Sequence, residues 1–174
     1  MANYLAVLLG LCLSLPAFAL KPHPILMVCT GNTGRSPMAE AIANDLLAYP
    51  RLGYPAFSRG IHVNPHKTAR EANAIIVMQA LNVNIAAGHA QPITKADIAK
   101  SYWVLTMTEA QKLNVIALDP LAATKVLTLS ECAIGQNDDI LDAYGRDLTV
   151  YRNTREQITH YLQLIKAHHF TCRV

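Results

Sequence analysis

Pro24 to Leu47 reads PILMVCTGNTGRSPMAEAIANDLL, and this stretch decides the fold. Its opening, Pro24 to Cys29, is a short unbroken apolar run bounded by a glycine-containing loop. That pattern belongs to a strand covered on both faces. After the loop, Ser36-Pro37 opens a helix, since proline in a first helical turn forfeits no hydrogen bond. Met38, Ile42 and Leu46 then recur at helical spacing, and the segment stops near Pro50.

The same alternation continues outward. Phe57–Val63 reads as a second strand and Ala69–Leu81 as a helix, followed by a short helix over Ile93–Ala99. Tyr102–Met107 (YWVLTM) reads as the third strand, Glu109–Leu118 as its helix, and Lys125–Leu129 (KVLTL) as the fourth strand. Gly135–Gly145 is a polar, acidic loop. Arg152–Ala167 closes the chain as a helix with Ile158, Leu162 and Ile165 on one face. Strands alternating with helices predict an α/β fold: a single domain over residues 24–170, with a four-stranded parallel sheet flanked by helices on both faces. Ligands of such sheets bind beyond the carboxyl ends of the strands, so a phosphate-binding loop is expected after the first strand.

Composition agrees with one buried core: the chain has 174 residues, of which 52% are hydrophobic and 16% charged, which excludes a disordered chain. The net charge of +3 comes with no Lys or Arg run, so no nucleic-acid partner is expected, and a mild positive balance suits an anionic ligand. Cysteines stand at positions 12, 29, 132 and 172 without a C-x-x-C pair, and neither a zinc site nor a disulfide framework follows from that spacing. At the start, Leu5–Leu15 is a Leu-rich run followed by Pro16 and Ala17-Phe18-Ala19. This reads as a secretory signal over residues 1–19, cleaved after Ala19, giving a periplasmic or secreted protein with no stable membrane span. The leader lacks Lys or Arg before its apolar run, which leaves a cytoplasmic location as the alternative.

Chemistry concentrates in Cys29-Thr30-Gly31-Asn32-Thr33-Gly34-Arg35-Ser36. Glycines let successive N–H groups point at one centre, and the following helix presents its positive end to the same place. Arg35 offers a planar bidentate match to phosphate oxygens. Five residues between Cys29 and Arg35 let sulfur sit beneath a phosphorus atom while the guanidinium grips its oxygens. Thr30, Gly31, Asn32, Thr33, Gly34, Arg35 and Ser36 are thus the candidate phosphate-binding residues, and the same positive field favours a Cys29 thiolate. The loop supplies its own positive charge, so no metal or cofactor is expected. More ordinary roles compete: a buried structural thiol for Cys29, a helix N-cap for Ser36, and a left-handed turn for Asn32.

The extended run Cys29–Glu40, CTGNTGRSPMAE, resembles the signature loop of low-molecular-weight protein tyrosine phosphatases, and the likeness continues through Ser58-Arg59-Gly60, Gly88-His89, Tyr102–Glu109 and Asp139–Thr154. The resemblance implies a phosphoprotein phosphatase that hydrolyses phosphotyrosine or phosphoarginine through a cysteinyl-phosphate intermediate. Its partner would be a phosphorylated protein or a small phosphomonoester. In that scheme Cys29 is the nucleophile, Arg35 the phosphate clamp, and Ser36 a hydrogen-bond donor to the thiolate. Asn32 holds the loop, with Ser58 as its support, although Ser58 reads equally well as a strand-end hydroxyl. Asp142 is the proton donor, standing in Asp142-Ala143-Tyr144 where the family carries Asp-Pro-aromatic, and Tyr144 is a wall of the substrate cleft. Alanine for proline is expected to loosen the acid's loop. Asp138 and Asp139 read as solvated loop charges, Asp119-Pro120 as a structural turn, and His89 as a structural hydrogen-bonding residue.

Thr33 is similar to the bacterial protein-arginine phosphatase subgroup, and with Tyr144 it is expected to contact substrate. Gly34 replaces a second cysteine that many members carry beside the nucleophile. Two other readings use the same loop. An arsenate reductase-like thiol enzyme would need Cys132 or Cys172 to resolve its intermediate. A catalytically impaired phosphate-binding module would explain the altered Asp142-Ala143 pair.

Overall fold

The computed structural model describes residues 22–173, so the expected signal over residues 1–19 lies outside the described residues. Four strands, β1 (Ile25–Cys29), β2 (Ala56–Gly60), β3 (Trp103–Thr106) and β4 (Val126–Thr128), form one all-parallel sheet in the order β2-β1-β3-β4. Every residue of β1 is buried. Alternation along it splits the core in two. Ile25, Met27 and Cys29 face the helices α1 (Arg35–Ala41), α2 (Ala72–Gln79), α5 (Leu129–Ile134) and α6 (Leu148–Ala167). Leu26 and Val28 face α3 (Lys95–Lys100) and α4 (Glu109–Leu118).

The chain leaves β1 toward β2 on one side and later returns to β3 on the other. The carboxyl end of β1 is therefore the point where the winding reverses, the place such sheets use for ligands. Pairing reaches past the strand: Ile61 N–H donates to the Cys29 carbonyl at 3.0 Å and His62 N–H to the Thr30 carbonyl at 2.8 Å. These bonds extend the register into the loop, although β2 itself ends at Gly60 rather than Val63.

Several boundaries differ from the sequence reading for local reasons. Helix α1 starts at Arg35 with Gly34 at its N-cap, so Ser36 is not the cap; its hydroxyl is engaged with Cys29 and Asn32 instead. Beyond Ala41 the helix widens into a π-turn over Ile42–Leu46. Helix α2 starts at Ala72 rather than at Ala69, because Glu71 is extended and donates its N–H to the Thr33 carbonyl at 3.1 Å. Helix α6 starts at Leu148, four residues before Arg152, because the Asp147 side chain accepts from the N–H groups of Thr149 and Val150. Helix α5 was not anticipated at all, although Thr128 and Glu131 form a reciprocal capping box visible in the sequence.

One covalent feature corrects the cysteine reading. Cys132 and Cys172 form a disulfide across a sequence separation of 40. Spacing gave no hint of it because the pairing is tertiary: the tail after α6 runs back along α5, where Arg173 N–H donates to the Cys132 carbonyl at 3.1 Å.

Candidate active site

Cys29 ends β1 with 3% of its surface exposed. Two polar groups reach its sulfur: the Ser36 hydroxyl, with Oγ 3.0 Å away, and the Asn32 N–H, which donates at 3.2 Å. Asn32 can present that N–H because its backbone is left-handed, with φ at 54°. Its side chain then buttresses the loop, Nδ2 donating to Ser36 Oγ at 2.9 Å and to Ser58 Oγ at 2.8 Å. The Ser58 hydroxyl in turn donates a hydrogen bond to Glu40 Oε2 at 2.6 Å. Asn32 is thus both the left-handed turn and the loop support, and Ser58 is part of the same network.

Arg35, at 7% exposure, is fixed from the far side of the cleft. Its Nη1 donates to the Ile140 carbonyl at 3.1 Å, and its Nη2 pairs with Asp142 Oδ2 at 2.8 Å. The loop that carries Asp142 is pinned despite lacking proline: Ile140 N–H bonds the Met107 carbonyl at 2.8 Å, Thr154 Oγ1 bonds the Leu141 carbonyl at 3.2 Å, and Ala143 is buried. Asp142 Oδ1 accepts the Tyr144 N–H at 3.2 Å, which leaves its carboxylate exposed at the cleft mouth beside the Tyr144 ring. The neighbouring acids, Asp138 and Asp139, are exposed loop charges as expected, and each also has partners. Asp138 accepts from Gln157 at 3.2 Å and from the Tyr161 hydroxyl, and Asp139 accepts the Glu109 N–H at 2.8 Å. Burial, reinforced by the Asp138 carboxylate, pushes the Tyr161 hydroxyl up to about 12.

Together these side chains line a cleft of about 340 Å³ that includes Cys29, Thr33, Arg35, Glu71, Asp142 and Tyr144. Glu71, which lines this cleft, escaped the sequence reading. Glu71 accepts from the Thr33 hydroxyl and from the Tyr151 hydroxyl, so one carboxylate ties the loop to α6. Burial and then Glu71 raise the Tyr151 hydroxyl well above its ordinary value. Gly34 makes room for this arrangement, since a Cβ there would stand 2.8 Å from a Glu71 carboxylate oxygen. Gln111 on α4 was also missed; it accepts the Met107 N–H at 3.0 Å and donates to Thr30 Oγ1 at 3.0 Å. Neither residue carries a local sequence signal, because their partners arrive from distant elements.

His89 keeps a structural place, with Nδ1 3.3 Å from Thr68 Oγ1, and Asp119 caps the end of α4. Among the described residues no three His, Cys, Asp or Glu side chains converge as metal ligands. The one free cysteine among them is Cys29, so the second thiol that a reductase cycle requires is tied up in the Cys132–Cys172 bond.

Residues 24–168 match the family described as low molecular weight phosphotyrosine protein phosphatase. The chain is 31% identical over 140 residues to a protein-arginine-phosphatase of Bacillus subtilis, a match covering 80% of this chain and 91% of the relative. It is 32% identical over 146 residues to the low molecular weight protein-tyrosine-phosphatase PtpB of Staphylococcus epidermidis, covering 83% and 98%. Among solved structures it superimposes on a YwlE mutant from Bacillus subtilis with a TM-score of 0.78 at 27% identity, covering 84% of this chain and 97% of that one.

Proposed function

The chain belongs to the low molecular weight phosphotyrosine protein phosphatase family, and from that premise we propose that it dephosphorylates protein side chains through Cys29, with phosphoarginine as its better substrate. The Cys29 thiolate attacks phosphorus while Arg35 and the loop N–H groups hold the phosphoryl oxygens. The P–N or P–O bond breaks as Asp142 gives its proton to the departing amine or alcohol. Water then attacks the cysteinyl phosphate, Asp142 takes the proton from that water, and the thiolate departs onto the Ser36 hydroxyl and Asn32 N–H. Phosphate and the starting enzyme are restored. Convergence of Cys29, Arg35 and Asp142 on one cleft supports turnover over passive phosphate binding.

The observation that carries the arginine preference is the Thr33–Glu71 contact. With its proton committed to Glu71, the Thr33 oxygen faces the cleft as an acceptor only, beside the Glu71 carboxylate. A phosphoguanidinium brings N–H donors and positive charge to those acceptors; a phosphotyrosyl ring brings neither. Phosphotyrosine is the second reading, favoured by the Tyr144 and Tyr151 side chains in the lining and by the tyrosine-phosphatase relative. Hydrolysis of matched phosphoarginine and phosphotyrosine peptides separates the two. Thr33→Ile is expected to move kcat/KM toward phosphotyrosine by about 10-fold, the scale of one lost polar contact. An unchanged ratio would sink the arginine preference, and turnover surviving Cys29→Ser would sink the nucleophile.

The same reading puts the enzyme in a periplasmic or secreted setting. The Leu5–Leu15 run before Ala17-Phe18-Ala19 supports export, and so does the Cys132–Cys172 bond, because such bonds persist where cytosolic reductants are absent.

A further inference from the structure

Arg70 has no counterpart among the residues singled out from sequence, yet it reaches the nucleophile's loop. From the extended segment before α2, its Nη1 donates to the Asn32 carbonyl oxygen and lies 3.4 Å from Asn32 Oδ1. Its Nε is buried without a partner, and Gly88 leaves space for the guanidinium, since a Cβ there would stand 2.8 Å from Nη2. Burial lowers the guanidinium from its ordinary value, and the negative charges of Glu40 and Cys29 oppose that shift.

The hydrogen bonds of Asn32 have a direction. Its Oδ1 faces two donors, Gln91 N–H at 3.0 Å and Arg70. Its Nδ2 carries two hydrogens and faces two hydroxyls, Ser36 and Ser58. The reverse amide orientation would set an amino group against both donors. Each serine therefore receives a proton and must place its own elsewhere. Ser58 has Glu40 at 2.6 Å, and Ser36 has the Cys29 sulfur at 3.0 Å, nearer than the Arg59 carbonyl at 3.4 Å.

We propose that Arg70 is a positioning residue for the phosphatase reaction. Held against both oxygens of Asn32, it fixes the amide orientation that turns the Ser36 hydroxyl onto the Cys29 sulfur. It also braces the left-handed turn that presents the Asn32 N–H to the same atom. Arg70's role presupposes Cys29 as nucleophile. Because sulfur is the leaving group when water attacks the cysteinyl phosphate, a misdirected Ser36 slows turnover more than it weakens substrate binding.

The test is steady-state hydrolysis of p-nitrophenyl phosphate by the full chain. Parent protein is compared with Arg70→Met, Arg70→Lys, Ser36→Ala and the Arg70→Met/Ser36→Ala double variant. In Arg70→Met, kcat is expected to fall about 10-fold with KM within about 2-fold, and Arg70→Lys to recover most of the loss. In the Ser36→Ala background the same Arg70 change should cost no more than about 3-fold, because the Ser36 route to sulfur is gone and only the brace on the Asn32 N–H remains. Additive losses, or a parental kcat in Arg70→Met, overturn the proposal. Should Arg70→Met fail to fold by circular dichroism, Arg70→Lys with and without Ser36→Ala makes the same comparison, and an additive loss or a parental kcat in Arg70→Lys is equally fatal. A parent without Cys29-dependent turnover removes the phosphatase reading and Arg70's role together.

Discussion

In the proposed reaction the acid step falls to Asp142, and its surroundings suit that task. The carboxylate sits at the mouth of the cleft, paired with Arg35 at 2.8 Å and held in a turn by the Tyr144 N–H. Removing it should leave phosphate binding intact and starve the leaving group of its proton. Asp142→Ala is expected to lower kcat by about 10²–10⁴-fold, the usual contribution of a positioned acid. The deficit should be smallest for p-nitrophenyl phosphate, whose leaving group needs least protonation. A variant as fast as the parent on a phosphopeptide would mean that another group donates. Cys29, Arg35, Asn32, Ser36 and Asp142 were legible because the loop and the acid are contiguous motifs. Glu71, Tyr151, Gln111 and Arg70 were not, because each acts through a partner that only the folded chain brings near.

At the level of elements, α3 shows how a six-residue helix with little intrinsic stability is fixed to the sheet. Asp97 forms a capping box with Thr94, and its carboxylate meets Lys100 at 2.7 Å and Arg59 of β2 at 3.2 Å. Burial alone would raise this carboxyl. Lys100, Thr94 and Arg59 outweigh burial and hold it at about 2, below the ordinary 3.8. A group depressed in the folded state adds stability above its unfolded value and loses it as pH falls through the folded one. Asp97→Asn is expected to cost about 1–2 kcal/mol at neutral pH, with the gap to the parent closing between about pH 4 and pH 2. Urea melts at pH 7 and below pH 3 measure it, and a gap of equal size at both would refute the assignment. Elements with strong local codes, β1 and α4, were readable almost to the residue. Helix α5 was overlooked because Leu129 looked like the end of a strand, while the Thr128–Glu131 box that starts the helix is written in the same few residues.

Across the whole molecule, the Cys132–Cys172 bond clasps the tail to α5 beneath α6, at the side of the core that also carries α1. Closing a loop of 40 residues is worth about 2–4 kcal/mol against the unfolded chain. Reduction, or Cys172→Ser, is therefore expected to lower the melting temperature by about 5–15 °C while hydrolysis at room temperature continues, since Cys29 is a thiol in either state. Thermal scans with and without reductant decide it, and coincident transitions would show that the clasp adds nothing. The four-stranded parallel sheet follows from strands alternating with helices, which a chain displays openly. A pairing between cysteines in different elements has no periodicity and stays silent until the tail is folded back.

Arg35 meets every visitor already in company. A monovalent ion offers the guanidinium no more charge than the tethered Asp142 carboxylate, whose local concentration the chain itself guarantees. A doubly charged phosphoryl group offers twice as much, and in a geometry the planar fork matches. The doorway thus favours doubly charged anions over singly charged ones before it reads their shape. Admission of the right guest would free the Asp142 carboxyl group at the spot where, in the proposed reaction, a departing amine or alcohol takes up a proton.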